Sequence, residues 1–187
     1  GGLLDLVPFL SLGDSRLANI TVQHCLDHKG GWDRDMAGDL TYKEIEIAGD
    51  MRVPSPPGRK NTARWILGQP LQHNPGSTYA YSNIGYMLLG LVIEKYAETD
   101  YMEFVHDEVF GLLGVDTEDI ELGRTFAVDQ NPREPWYEYA GSCTNVFDPS
   151  KTVNCPYGSW DHEARVSQGR VISATRPLLH FLETFYI

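Results

Sequence analysis

The chain has 187 residues, 42% of them hydrophobic, which is enough apolar material for one domain with a real core. A net charge of −11 and a pI near 4.8 leave no basic surface to neutralise phosphates, so nucleic acid is a poor partner and anionic membranes are disfavoured. The longest apolar run, residues 87–93, is far short of the roughly 20 residues that span a bilayer, and no transmembrane segment is expected.

In chain order, residues 1–14 read as a loop along the core, anchored by Leu3, Leu4, Leu6, Val7, Phe9 and Leu10. Thr21 is placed to cap a short helix through Asp27, with Val22, Cys25 and Leu26 on one face and Cys25 a buried small hydrophobe. Asn19-Ile20-Thr21 fits a glycosylation sequon, although its Ile20 points to the core. Residues 33–50 are acidic and mixed in period, predicting loop with a short strand or helix. Residues 53–60 form a Pro/Gly turn cluster, and Asn61 or Thr62 then starts a helix through Leu71 with Ala63, Ile66 and Leu67 inward. After Asn74-Pro75-Gly76 and a short aromatic strand, Asn83–Ala97 is apolar almost all round and predicts the central buried helix. Gly85 and Gly90 each lower its propensity by roughly 1 kcal/mol relative to alanine, which fits close crossings by other elements.

Asp100 to Glu103 resembles a capping box opening a helix with Tyr101, Phe104, Val105 and Val109 inward, stopped by Gly111 and Gly114. Residues 117–158 lack periodicity and predict a loop-rich excursion with two short strands. Within it, Cys143 and Cys155 bracket a polar loop. If they pair, an oxidising compartment and an extracellular or periplasmic location are favoured. Ser173 is placed to cap a last helix carrying Pro177 in its first turn and a stripe of Leu178, Leu182 and Phe185.

The chemistry concentrates at Tyr81-Ser82-Asn83. In an extended step residues i and i+2 point the same way, so Tyr81 and Asn83 project into one site, joining a proton carrier to a carboxamide. Ser82 between them reads as an N-cap, and Tyr79 and Tyr86 as packing residues. Trp136, Tyr137 and Tyr139, beside Arg133, either line a substrate entrance or form a lid packed on the body. His24 and His28 stand at i, i+4, a spacing that suits metal ligands. No third ligand lies at usable spacing and the glutamate of a His-Glu-x-x-His site is absent, so they read as structural histidines bonded to the following turn; no metal or cofactor is assigned.

The ordered blocks resemble the serine β-lactamase-like superfamily, which includes class C β-lactamases, DD-peptidases and family VIII esterases. Residues 20–31, Ile-Thr-Val-Gln-His-Cys-Leu-Asp-His-Lys-Gly-Gly, are similar to the family's Ile-Thr-x-x-His-Leu-Leu-x-His-x-Ser-Gly. Tyr81-Ser82-Asn83 matches Tyr-x-Asn, and Val109-Phe110-Gly111-Leu112-Leu113-Gly114-Val115 matches Ile-Phe-x-Pro-Leu-Gly-Met with Leu112 in place of proline. Gly169-Arg170-Val171-Ile172-Ser173 resembles Gly-Gly-Leu-x-Ser. The resemblance implies an α+β fold of the β-lactamase/DD-peptidase type, with this chain supplying mainly the helical part and helix exceeding strand. It also implies a serine hydrolase that cleaves an amide or ester bond of a small molecule or peptide through an acyl-enzyme. Tyr81 would serve as general base and acid, and Asn83 would orient a lysine and the substrate's acyl group. Trp136 and Tyr137 are the candidate substrate-binding residues.

The family's nucleophile is the serine of Ser-x-x-Lys, and none of the ten serines here is followed by lysine three residues on. Gly1-Gly2-Leu3-Leu4-Asp5-Leu6 resembles the segment that follows that motif, so the nucleophile is expected before residue 1. The third motif, Lys/His-x-Gly, is expected after residue 187, since Lys151-Thr152-Val153 lacks its glycine. The chain is then a single domain or part of one. The alternatives are a non-catalytic relative that binds ligands or partners, and a metal-dependent hydrolase using His24 and His28. Oligomeric state is not readable.

Overall fold

The computed structural model describes residues 2–186. Among the described residues, seven α-helices together with shorter 3-10 and π segments make 46% helix and four three-residue strands make 6% strand, an α+β fold in which helix exceeds strand. The helices are α1 (Val22–Leu26), α2 (Arg34–Ala37), α3 (Glu44–Met51), α4 (Gly58–Ile66), α5 (Asn83–Ala97), α6 (Tyr101–Val105) and α7 (Thr175–Phe185). The strands are β1 (Ile120–Leu122), β2 (Ser142–Thr144), β3 (Thr152–Asn154) and β4 (Val171–Ser173). They form two separate antiparallel ribbons, β1 with β4 and β2 with β3.

Helix α5 is the post around which the rest packs, and its bounds are those its hydrophobic pattern predicts. Ile84, Met87 and Leu91 enter the main core with Cys25, Trp32, Leu40, Ile47, Met51, Trp65 and Ile66. Both glycines mark crossings. A Cβ added at Gly85 would lie 3.2 Å from the Cys25 carbonyl oxygen of α1, and one at Gly90 would lie 2.5 Å from Ser167 Cβ on the 3-10 turn Glu163–Gln168. A second cluster gathers Met102, Ile120 and Val166, so the same turn also joins the β1–β4 ribbon to the helices.

Several local expectations are corrected. Residues 33–50 are largely helical, because Asp33 caps α2 and α3 buries Ile47, Ala48 and Met51 against the core. Helix α4 starts earlier, after Pro57, and ends at Ile66, ahead of Gly68 and Pro70. The short aromatic segment before Asn83 is extended but joins no strand ladder. Leu4, Leu6 and Phe9 pack on the core, whereas Leu3, Val7 and Leu10 are exposed. Thr21 does cap α1, but only Cys25 of its apolar face is buried, and Val22 and Leu26 are exposed.

In α6 the buried residue is Met102. Asp100 accepts from the Met102 amide at 2.8 Å, and Glu103 binds Thr99 instead of closing a box. Three strands, not two, interrupt residues 117–158. Ser173 ends β4 instead of capping α7, donating its hydroxyl to the Ala174 carbonyl. Pro177 in the first turn of α7 is fully buried, and the stripe of Leu178, Leu182 and Phe185 is exposed.

Cys143 and Cys155 are bonded, closing the β2–β3 hairpin and its 12-residue separation. This disulfide is consistent with an extracellular or periplasmic location. Among the described residues no helix is long and apolar enough to cross a membrane.

A buried polar seam lies beneath the helices. Arg165, 3% exposed, meets Glu44 Oε1 at 3.2 Å, donates to the Thr41 carbonyl at 2.6 Å and lies 3.8 Å from the Tyr42 ring centre. Burial outweighs the guanidinium and holds the Glu44 carboxyl above its ordinary range. Nearby His162 stacks on Trp160 and its Nδ1 faces the Arg124 carbonyl. Burial first, and then the charge of Arg170, lower its pKa to about 4.

Two outcomes follow from this packing. Gly90→Ala forces α5 away from Ser167, and thermal unfolding is expected to show about 1–3 kcal/mol of destabilisation despite the gain in helix propensity. An unchanged melting temperature would mean that the crossing is loose. His162 stays neutral in the fold while the unfolded chain binds its proton near pH 6.5, so stability is lost as pH falls from about 6.5 towards 4. The full loss attributable to this group is about 3 kcal/mol. Urea midpoints at pH 7 and pH 4.5 should therefore separate more in the wild type than in His162→Gln. Equal drops in both proteins would remove His162 as the cause.

Candidate active site

The Tyr81–Asn83 turn is built by the segment 24–31 and the start of α5. Gly76, at φ +82°, donates its amide to the Lys29 carbonyl at 2.8 Å, and a Cβ there would lie 2.9 Å from His24 Nε2. The Ala80 amide donates to the His28 carbonyl at 2.9 Å, and the Ser82 amide to His28 Nδ1 at 3.2 Å. These bonds hold residues 80–82 extended, and side chains at 81 and 83 emerge on the same side. Ser82 occupies the N-cap position of α5, but its buried hydroxyl makes no cap bond there.

The Tyr81 hydroxyl donates to Asn83 Oδ1 at 3.1 Å, and Asn83 Nδ2 donates to Asp39 Oδ2 at 2.6 Å. Tyr81 is 41% exposed, so its hydroxyl is both anchored and reachable. Its ring lies 4.6 Å from His28, and the Arg34 guanidinium stands 4.5 Å from its centre. Arg34 is brought there by α2, which Asp33 caps while accepting from Asp35 and Met36 amides and binding His73 Nε2 at 2.9 Å. The His73 contact holds the Asp33 carboxyl below its usual range. Burial lowers the His28 pKa, and because Nδ1 accepts from Ser82, the neutral ring carries its proton on Nε2.

Both histidines weighed as metal ligands have local partners. His24 Nδ1 accepts from the Thr21 amide at 3.4 Å in a capping box, and His28 supports the turn described above. Among the described residues no three His, Cys, Asp or Glu side chains are grouped to hold a metal ion. Tyr86 packs on His28 and donates to the Leu26 carbonyl at 3.3 Å. Tyr79 meets the same ring edge-on but is largely exposed, so it packs less than expected.

Trp136 and Tyr137 lie elsewhere. Trp136 stacks on Tyr157 at 4.4 Å, and the Tyr137 amide donates to the Tyr157 hydroxyl at 2.8 Å. Tyr137 lines two adjoining cavities of about 400 and 410 Å³, the second walled also by Tyr157, Trp160, His162, Arg124 and Arg170. Among the described residues no hydrogen bond, ion pair or ring contact joins Trp136 or Tyr137 directly to Tyr81 or Asn83. Lys151 is exposed at the hairpin and pairs with Asp148 at 2.8 Å. Sequence reasoning missed Asp39 and Arg34. Asp39 lies 44 positions from Asn83, in a stretch without period, so no spacing signal marks it.

The chain is 27% identical over 96 residues to an Escherichia coli K12 protein named for D-alanyl-D-alanine carboxypeptidase, covering 51% of this chain and 20% of that protein. It is 35% identical over 88 residues to protein flp of Staphylococcus aureus MW2, covering 47% of this chain and 16% of that protein. The D-amino acid amidase of Ochrobactrum anthropi SV3 shares the fold at TM-score 0.57 and 20% identity, over 89% of this chain and 44% of the amidase. The octameric penicillin-binding protein homologue of Pyrococcus abyssi superposes at TM-score 0.51 and 23% identity, over 94% of this chain and 39% of its own. The chain thus spans a fifth or less of these sequence relatives and under half of these structures. The Beta-lactamase family model matches residues 5–184, nearly the whole chain, and the protein belongs to that family.

Proposed function

We propose that this chain carries the Tyr-x-Asn part of a serine hydrolase site that cleaves amide or ester bonds through an acyl-enzyme. The nucleophilic serine and its lysine then lie in a part of the protein outside these residues, since no serine here has lysine three positions on. The observation that carries the reading is the anchored and accessible Tyr81 hydroxyl on Asn83, in a chain of the Beta-lactamase family.

In this reading the serine oxygen attacks the substrate carbonyl carbon and its proton passes to the Tyr81 oxygen. An unperturbed phenol is a poor base at neutral pH, so a lysine cation beside it is needed to favour the phenolate. As the tetrahedral intermediate collapses, the bond to the leaving nitrogen or oxygen breaks and Tyr81 returns the proton to it. Water then attacks the serine ester by the reverse path. Asn83 Oδ1 is free to accept from that lysine as well as from Tyr81, because a carbonyl oxygen has two lone pairs. Tyr137, in the wall of both cavities, is the candidate for contact with a substrate there, and Trp136 is carried beside it on Tyr157. The names of related proteins favour small amides, including those of D-amino acids, as substrates to try first.

Tyr81→Phe in the full natural protein is expected to lower kcat/KM for p-nitrophenyl acetate or a D-alanine p-nitroanilide by roughly 10²–10⁴-fold. The melting temperature should hold, because the hydroxyl is on the surface. Turnover near the wild-type rate would take Tyr81 out of the mechanism. Absence of turnover in the wild type would favour a ligand-binding relative that runs no reaction.

A further inference from the structure

We infer that Asp39 is a positioning residue whose carboxylate fixes the orientation of the Asn83 side-chain amide and so decides which of its atoms faces Tyr81. The consequence for catalysis rests on the serine-hydrolase reading above. The geometry of the clamp does not. A carboxamide has two ends of similar shape, one donating and one accepting, and its neighbours determine which way round it sits. A carboxylate only accepts. With Asp39 Oδ2 at 2.6 Å the amide NH₂ must face it, and Oδ1 is left towards Tyr81.

The carboxylate is itself held. Asp39 Oδ1 accepts from the Thr41 amide at 3.0 Å and from the Thr41 hydroxyl at 2.7 Å. Thr41 is 3% exposed, its carbonyl accepts from Arg165 Nη2 at 2.6 Å, and its hydroxyl accepts from Nη1 at 3.2 Å. A line of charge-assisted bonds therefore runs from the buried Arg165–Glu44 pair to the surface amide. Its effect on Tyr81 is specific. While Oδ1 faces the phenol, it can also accept from the lysine whose charge favours the phenolate, so that cation is held beside Tyr81. Were the amide reversed, its NH₂ would face that ammonium, donor against donor, and the lysine would lose its anchor beside Tyr81.

The test is a double-mutant cycle in the full natural protein with p-nitrophenyl acetate, using Asp39→Asn, Asn83→Ala, the double variant and Tyr81→Phe. Asp39→Asn keeps the shape but lets the Asn83 amide turn over. It is expected to lower kcat about 10–100-fold with KM within about twofold. In the Asn83→Ala background the same change should alter kcat less than about twofold, whereas a merely structural role would carry its loss into that background. A second readout needs no turnover. In protein labelled with ¹⁵N-asparagine, the Asn83 side-chain protons, identified by their loss in Asn83→Ala, should exchange with water at least about tenfold faster in Asp39→Asn than in the wild type.

If Tyr81→Phe and Asn83→Ala turn over like the wild type, the hydrolase reading fails, and the clamp is judged on exchange alone. If those two lose activity while Asp39→Asn keeps it, or if the Asp39→Asn loss persists unreduced in Asn83→Ala, the positioning role is overturned. Equal amide exchange in Asp39→Asn and wild type overturns the clamp itself.

Discussion

Close packing at two glycines of α5 sets the position of everything that matters here. Gly85 lets the α1 backbone approach, and Gly90 admits Ser167, so the helix is fixed along its length from both sides. Asn83 is the first residue of that helix, and Tyr81 is tied to the α1 turn through bonds of its neighbours to His28. The meeting of Tyr81 and Asn83 at 3.1 Å is therefore a consequence of core packing, although both side chains reach the surface.

Electrostatics add a second layer. The chain is strongly acidic, yet its buried cation Arg165 is matched by Glu44 and by the carbonyl of Thr41, the residue that also holds Asp39. Buried pairs of this kind are weak sources of stability, because desolvation offsets their attraction. Their use here is to hold a chain segment in one place. The 3-10 turn that carries Arg165 also carries Ser167, so one short element supports the helix crossing and the polar seam together.

Legibility in the sequence followed the source of each element's stability. Helix α5 is long, apolar and flanked by turn residues, and its pattern alone gives both ends. The α1 cap at Thr21 was also legible, since Thr21 has a fixed local job, as was the alignment of residues 81 and 83 from strand periodicity. Helices α2 and α3 were not, because four- and eight-residue helices in an acidic stretch owe their existence to tertiary contacts. The exposed stripe of α7 shows the converse, a helical pattern that is real while its partner cannot be read from it. Asp39 escaped notice because its contact with Asn83 is long-range and leaves no trace in spacing.

In the proposed function a serine outside these residues reacts while Tyr81 and Asn83 serve it. Incubating the full natural protein with a β-lactam or an activated ester, then mapping the adduct by intact mass and peptide sequencing, tests this directly. The expected result is a single acyl group on a serine followed three residues later by lysine, outside this segment. An adduct on Ser82 or any other of the ten serines here, or no adduct with either reagent, would contradict it.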